Sequence, residues 1–351
     1  TPTGPVTDAP TIVPPTAATT SSQPIASSTT VPPTTPGPRR AEEVAFSVEH
    51  FQVFGEVTLP GGPGPHPAVI MVSGSGSQTR YSTPGSRLVR DKFGDAGFAV
   101  LAYDKPGSGE SIGEFDDEEG LRQRAAILAA AFEYLAGRSD IADGGIGMWG
   151  LSQAGWVMPL ALQMTDIPAF MISVSGGGED SIEQLAYRTG AQLVCRGAPA
   201  EHGELVDEYG AQVAKGPYRD YVAAMEVLLE IPGLESLIGT DIASEQDWTP
   251  WPTHIDAYFD PMDVIATTRI PVLAVFGELD RSVDPIQGAA AYEAALAEAG
   301  NEHYEVSLLP GVGHLMIEQE TGCPGDVSST MSPEYIALLD EWVAFLAADL
   351  S

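Results

Sequence analysis

The chain has 351 residues, more than an average single domain, and a formal net charge of −33 from 49 acidic and 16 basic residues. A negative field of this strength repels phosphate backbones and anionic lipid, so we expect no nucleic-acid partner and a preference for neutral or cationic substrates. No apolar run is long enough to cross a bilayer, which predicts the absence of a transmembrane segment.

The beginning of the chain differs in composition from the rest. Residues 1–40 are almost entirely Thr, Pro, Ser, Ala and Gly. Their few apolar side chains cannot offset the entropy cost of ordering, which predicts a disordered Pro/Thr-rich linker. Such linkers are typical of exported proteins, and the chain opens on Thr1 rather than Met, as expected after removal of a signal segment. We therefore expect a secreted or surface-tethered protein.

From Ala41 onward, strand and helix patterns alternate, which predicts an α/β fold with a mostly parallel twisted sheet and helices on both faces. Strands are predicted at 46–50, 52–59, 67–73, 98–103, 145–149, 168–174, 270–276 and 303–309, and the clearest helices at 87–96, 118–136, 153–163, 285–299 and 333–348. The stretch between 174 and 270 is too long for one crossover helix. We predict a core of residues 41–178 and 269–351, with a helical cap inserted at 179–268.

One serine lies on a predicted turn between a buried strand and a helix, in the segment 147–155. Gly150 and Ala154 flank Ser152 where larger side chains would collide with the neighbouring backbone. This layout is typical of a nucleophile elbow, although an ordinary strand-to-helix turn can show the same short pattern. In an elbow, the backbone N–H of Gln153 would face the oxyanion of a reacting carbonyl group.

Two later strands each end in a residue that could activate this serine. Asp280 follows the strand at 270–276, and His314 lies in a glycine-rich loop after the strand at 303–309. An imidazole is suited to accept the serine proton, and a carboxylate fixes its tautomer and balances its charge. Asp284 competes with Asp280, but it precedes Pro285 and fits the N-cap of the next helix.

With these residues in the order Ser152, Asp280, His314, the chain from about Ala41 onward resembles the α/β-hydrolase family. Within the family it is most similar to bacterial esterases related to prolyl oligopeptidases and dienelactone hydrolases. Segments 69–78 and 100–111 resemble the family's oxyanion loop and the strand and turn that follow it. The resemblance implies that Ser75 supplies the second oxyanion N–H, with Gly76 as the alternative.

The sequence offers further candidates with less support. Trp156, Trp248 and Trp251 could line a substrate pocket, and packing of the cap's own core is the alternative for the cap aromatics. Cys195 in the predicted cap and Cys323 after His314 would tether the two segments if they formed a disulfide, and the sequence leaves their pairing open.

Together these patterns predict a serine hydrolase that cleaves small-molecule carboxylic esters through an acyl-enzyme. A peptidase of the prolyl oligopeptidase type, a thioesterase and an acyltransferase use the same three residues and stay open, and a non-catalytic binding module is the alternative from another class. We expect no metal, because no histidines have metal-ligand spacing, and no cofactor, because the glycine-rich loop lacks a nucleotide-binding pattern.

Overall fold

A sheet of eight strands organises the part of the chain that the computed structural model describes, residues 38–115, 120–248, 259–326 and 328–350. The strands are β1 Arg40–Val48, β2 Phe51–Leu59, β3 His66–Val72, β4 Ala99–Tyr103, β5 Ile141–Leu151, β6 Met171–Val174, β7 Val272–Gly277 and β8 Tyr304–Leu309. Their order is β1-β2-β4-β3-β5-β6-β7-β8. The β1–β2 and β2–β4 pairs are antiparallel and the others parallel, which confirms the predicted fold class.

Helices cover both faces of this sheet. Within the described residues they are α1 Ser86–Asp95, α2 Gly120–Ala136, α3 Ala154–Leu162, α4 Ser181–Cys195, α5 Ala200–Lys215, α6 Tyr218–Leu228, α7 Glu235–Ile238, α8 Met262–Ile265, α9 Pro285–Ala299 and α10 Pro333–Asp349. Helices α2, α3 and α9 pack on one face, and α1 and α10 pack on the other. Strands β4, β6 and β7 are buried along their whole length, because both of their faces meet helices.

The N-terminal boundary differs from the predicted end of the linker at residue 40. Residues 1–37 lie outside the described part of the chain. Arg40 already belongs to β1, which pairs with β2 from Arg40 opposite Leu59. Arg39 is also tied to the fold, since its guanidinium forms ion pairs with Asp91 and Asp95. Two arginines assigned by composition to the linker therefore contribute contacts to the folded protein.

Helices α4–α7 fill the long interval between β6 and β7 where a cap was predicted. They share a small apolar core of their own, made by Leu193, Val206, Leu228, Ile231 and Leu234. The last residues of the predicted insertion behave differently, because Ile265 of α8 is buried in the main core beside α3 and α9. The division into core and separate cap stays a prediction. Across the described residues, no helix combines the length and apolarity needed to span a bilayer.

Candidate active site

The turn that carries Ser152 is built from small residues. β5 ends at Leu151 and α3 begins at Ala154, which leaves two residues to reverse the chain. Ser152 adopts φ 60°, a left-handed conformation that is uncommon outside glycine. A Cβ placed on Gly150 would lie 2.5 Å from the Cβ of Ala154, so this position needs glycine. The local sequence thus forces the serine outward at the carboxyl end of β5.

The structure brings the three predicted catalytic residues together. His314 Nε2 lies 2.9 Å from Ser152 Oγ, and His314 Nδ1 lies 2.7 Å from Asp280 Oδ2. A carboxylate can only accept, so Nδ1 carries the proton and Nε2 is free to accept from the serine hydroxyl. The arrangement can therefore move a proton from Ser152 to His314.

The carboxylate of Asp280 is fixed in place as well as buried. It is fully inaccessible to solvent, and its Oδ1 accepts hydrogen bonds from the N–H groups of Ser282 and Val283 at 2.7 and 3.0 Å. The competing Asp284 has a different task, because its Oδ1 caps α9 by accepting from the N–H groups of Ile286 and Gln287. Asp280 rather than Asp284 contacts the histidine.

The predicted oxyanion loop lies beside the nucleophile. A Cβ on Gly74 would be 3.2 Å from the Cβ of Ser152 and 3.7 Å from its hydroxyl oxygen. The backbone N–H groups of Ser75 and Gln153 have no hydrogen-bond acceptor among the described residues, and each is free to bind a substrate oxygen. Gly76 has φ 74° and open space around it.

A family model described as X-Pro dipeptidyl-peptidase (S15 family) matches residues 51–317. The chain belongs to this family. Its fold is shared with solved α/β hydrolases, including GrgF from Penicillium sp. sh18, with 21% identity, TM-score 0.53 and coverage of 89% of this chain and 99% of that one. An esterase of Pyrococcus furiosus has 14% identity, TM-score 0.53 and coverage of 88% and 91%. The protein thus has the α/β-hydrolase fold.

One curated relative is similar over a shorter stretch. The 2,6-dihydropseudooxynicotine hydrolase of Paenarthrobacter nicotinovorans is 35% identical over 99 residues, which is 28% of this S15-family chain. The aligned stretch spans a quarter of the relative's own length, 25%.

Two buried cations of this S15-family protein went unrecognised in the sequence. Lys105, which the sequence assigned to a structural turn, donates from Nζ to the carbonyl oxygens of Gly74 and Gly76 at 3.0 and 2.7 Å. Arg124 donates to the carbonyl oxygen of Ser73 and to the side-chain oxygen of Gln153. Burial lowers the pKa of Lys105 to about 7 and that of Arg124 to about 10, and the charge of Arg124 lowers the pKa of Lys105 further. The scarcity of lysine, three in the chain, was the available signal.

A buried acid lies on the other side of the elbow, in the loop after β6. The Glu179 side chain is buried, and its Oε1 has no hydrogen-bond partner within the described residues. Burial, followed by the charges of Asp284 and Asp207, raises the pKa of Glu179 to about 8. Its backbone oxygen accepts from the indole of Trp156 at 2.8 Å. This S15-family site therefore has an acid group that is mostly protonated at neutral pH.

The two predicted pocket residues that the structure describes, Trp156 and Trp248, belong to different clusters. Trp156 is buried in the main core beneath the elbow, because α3 packs between the sheet and the loop after β6. Trp248 contacts the rings of Tyr218 and Tyr221 in tilted geometry, in an aromatic cluster of the insertion. Trp251 lies outside the described residues. Among the described residues, no group of three or more His, Cys, Asp or Glu side chains is arranged to hold a metal ion.

One face of helix α4 contacts the loops that carry Asp280 and His314. Tyr187 donates from its hydroxyl to the backbone oxygen of Asp280 at 2.7 Å, and the Gln184 side chain donates to the backbone oxygen of Ser282. Cys195 forms a disulfide with Cys323, in the segment that follows His314. Residues 184, 187 and 195 are spaced by three and eight, which places them on one side of a helix.

Proposed function

We propose that this S15-family protein is a carboxylic ester hydrolase that forms an acyl-enzyme on Ser152. The observation that carries the proposal is the hydrogen-bonded chain from Ser152 through His314 to Asp280. An isolated serine hydroxyl is a poor nucleophile, and a neighbouring oriented base is the standard means of activating it. The esterase that shares the fold is consistent with ester chemistry on this scaffold.

In the proposed reaction, Ser152 Oγ attacks the ester carbonyl carbon while His314 Nε2 takes the serine proton. Asp280 stabilises the resulting imidazolium through Nδ1. The carbonyl oxygen becomes an oxyanion, which accepts from the N–H groups of Gln153 and Ser75. When the intermediate collapses, the ester C–O bond breaks and His314 returns its proton to the leaving alkoxide. Water then attacks the acyl-enzyme by the same route and releases the carboxylic acid.

Peptide hydrolysis is the second candidate, and the family match favours it. The same triad can cleave an amide when His314 protonates the leaving amine. Thioester cleavage and acyl transfer also use the same acyl-enzyme, and differ only in the leaving group or the acceptor. Short-chain p-nitrophenyl esters, Xaa-Pro anilides and acyl thioesters would distinguish these activities when their kcat/KM values are compared on one enzyme preparation.

The nucleophile is tested with a fluorophosphonate probe and peptide mapping by mass spectrometry. We expect the label on Ser152 alone, no label in Ser152→Ala, and a fall in turnover of about 10⁶-fold in that variant. Ser82→Ala is the matched control, because within the described residues the Ser82 hydroxyl donates only to the backbone oxygen of Thr79. Substantial ester turnover by Ser152→Ala would contradict the proposal.

We also propose that the enzyme works outside the reducing cytoplasm, as a secreted or surface-tethered protein. The Cys195–Cys323 disulfide supports this, because such bonds persist mainly in oxidising compartments. Alkylation of the protein from its native source, without reductant, should leave its intact mass unchanged. Uptake of two alkyl groups would contradict the proposal.

A further inference from the structure

The two buried cations beside the oxyanion loop are unusual in so acidic a chain. Lys105 and Arg124 are 5% and 6% exposed. Within the described residues, neither forms an ion pair with a carboxylate, although acidic residues outnumber basic ones by 49 to 16. Removing a charge from water costs free energy unless its hydrogen bonds are replaced. The groups that these two side chains bind therefore indicate their role.

Lys105 forms hydrogen bonds with three residues of the oxyanion loop. Its Nζ donates to the backbone oxygens of Gly74 and Gly76, and its backbone N–H donates to the backbone oxygen of Gln78 at 3.0 Å. Its own backbone oxygen accepts from the N–H of Ser108 at 2.8 Å, which fixes the turn after β4. Lys105 therefore holds three alternate residues of one loop from a rigid position.

The direction of these hydrogen bonds determines where the loop's N–H groups point. In a trans peptide, the carbonyl oxygen of one residue and the N–H of the next lie on opposite sides of the bond. The oxygen of Gly74 points toward Lys105, so the N–H of Ser75 points away from it. Arg124 binds the oxygen of Ser73 in the same manner, and this directs the N–H of Gly74 away from the guanidinium.

We propose that Lys105 is a positioning residue, which holds the Gly74–Ser75 peptide with the Ser75 N–H directed at the oxygen of the carbonyl group that reacts at Ser152. Arg124 supports the same arrangement by binding Ser73 and the side chain of Gln153, the residue that supplies the other donor. This role rests on the proposed function, because it needs an oxyanion at Ser152.

Hydrogen bonding rather than charge alone accounts for the choice of lysine. An ammonium group has three donors, and a neutral amine still has two, which is enough for the oxygens of Gly74 and Gly76. A methionine at this position would keep the length and the apolar stem but would leave both backbone oxygens without their donor. The peptide would then be free to rotate, and the Ser75 N–H would lose its fixed direction.

The test compares Lys105→Met with Lys92→Met, a control whose lysine pairs with Asp340. We expect Lys105→Met to lower kcat about 100-fold, as for loss of an oxyanion donor, with KM changed less than about twofold. Lys92→Met should match the wild type. If Lys105 served only the fold, Lys105→Met would instead lower the midpoint of thermal unfolding and the fraction of active sites titrated by fluorophosphonate. The kcat per titrated site would then be unchanged.

A trifluoromethyl ketone separates this proposal from the proposed function. Ser152 Oγ adds to its carbonyl carbon, the proton passes to His314, and the ketone oxygen becomes a stable oxyanion. We expect the affinity of Lys105→Met for this inhibitor to fall by the same factor as kcat. Equal affinity in wild type and variant would overturn the role of Lys105 alone, whereas a wild type that bound neither this ketone nor the fluorophosphonate would overturn the proposed function, and with it this role.

A measurement on the wild-type protein covers the case in which Lys105→Met does not fold. The protein is labelled with nitrogen-15 serine in one sample and nitrogen-15 glycine in another, and Ser75→Ala identifies the Ser75 amide signal while keeping its N–H. Formation of the ketone adduct should move the Ser75 amide proton strongly downfield. A shift at Gly76 with none at Ser75 would overturn the proposal.

Discussion

The two halves of the catalytic machinery are held in place by different means. On the oxyanion side, buried Lys105 and Arg124 bind backbone oxygens directly from the core. On the acid–base side, helix α4 of the insertion contacts the loops of Asp280 and His314 through Tyr187, Gln184 and a disulfide. The oxyanion loop is thus held from the main core, whereas the acid and the base are also held from the insertion.

The test with the largest expected effect replaces each of the two candidate acids of the acid–base half in turn. Asp280→Asn should lower kcat/KM about 10⁴-fold, because an amide no longer fixes the histidine tautomer or balances its charge. Asp284→Asn should change kcat/KM less than about twofold, since asparagine also caps a helix N-terminus. Steady-state kinetics on both variants gives the answer, and the reverse order of effects would exchange the two roles.

Removing the covalent link of the insertion should have the next largest effect. The double variant Cys195→Ala/Cys323→Ala opens a loop with a sequence separation of 128 residues. In the chain-entropy account this lowers the free energy of unfolding by up to about 5 kcal/mol. Urea unfolding of the variant beside the oxidised wild type measures the loss. An unchanged midpoint would show that the insertion is held by its other contacts.

The pH dependence of stability probes Glu179, which lies where α4 begins. Its pKa is raised from 4.5 to about 8, so the folded protein keeps a proton that the unfolded chain releases. The unfolded state binds fewer protons across this interval, and the free energy of unfolding must therefore fall as pH rises from about 4.5 to about 8.

Glu179→Gln should remove this component, and urea unfolding at several pH values would show a flatter profile than in the wild type. The control is Glu201→Gln, at an exposed position in α5, which should keep the wild-type slope. A wild-type slope in Glu179→Gln would mean that its carboxyl group titrates normally.

The smallest expected effect belongs to a single hydroxyl. Tyr187→Phe removes the hydrogen bond to the Asp280 backbone oxygen, worth about 1 kcal/mol, and should lower kcat/KM about fivefold. Tyr209→Phe is matched to it, since the Tyr209 ring packs in the core of the insertion. If both variants behave like the wild type, α4 does not position the acid.

Local patterns made much of this fold predictable. The strands that end before Ser152 and Asp280 are short apolar runs followed by small residues. Ser152 and Asp280 lie at a shared sheet edge because the carboxyl ends of parallel strands meet there. The mostly parallel sheet is confirmed. Strand lengths were less accurate, since β5 begins at Ile141 rather than at residue 145 and β1 begins at Arg40.

Contacts between distant segments could not be read from the sequence. Lys105 looked like part of a turn because it lies in the segment 100–111, and only the fold shows that its side chain reaches Gly74. Trp156 is aromatic, as many pocket-lining residues are, but it is buried in the core. Cys195 and Cys323 carry no local signal for pairing. In all three cases the outcome depends on which distant segment each side chain faces in the folded protein.

The disulfide also determines what a protease could release from this molecule. Cys195 and Cys323 enclose the segment that contains Asp280 and His314, while Ser152 lies before it. A single cut between the two cysteines, for example in the exposed stretch around Asp241, would produce two polypeptides that remain covalently joined. The nicked protein would migrate as one species without reductant and as two fragments with it, and the nucleophile would stay attached to its acid and its base.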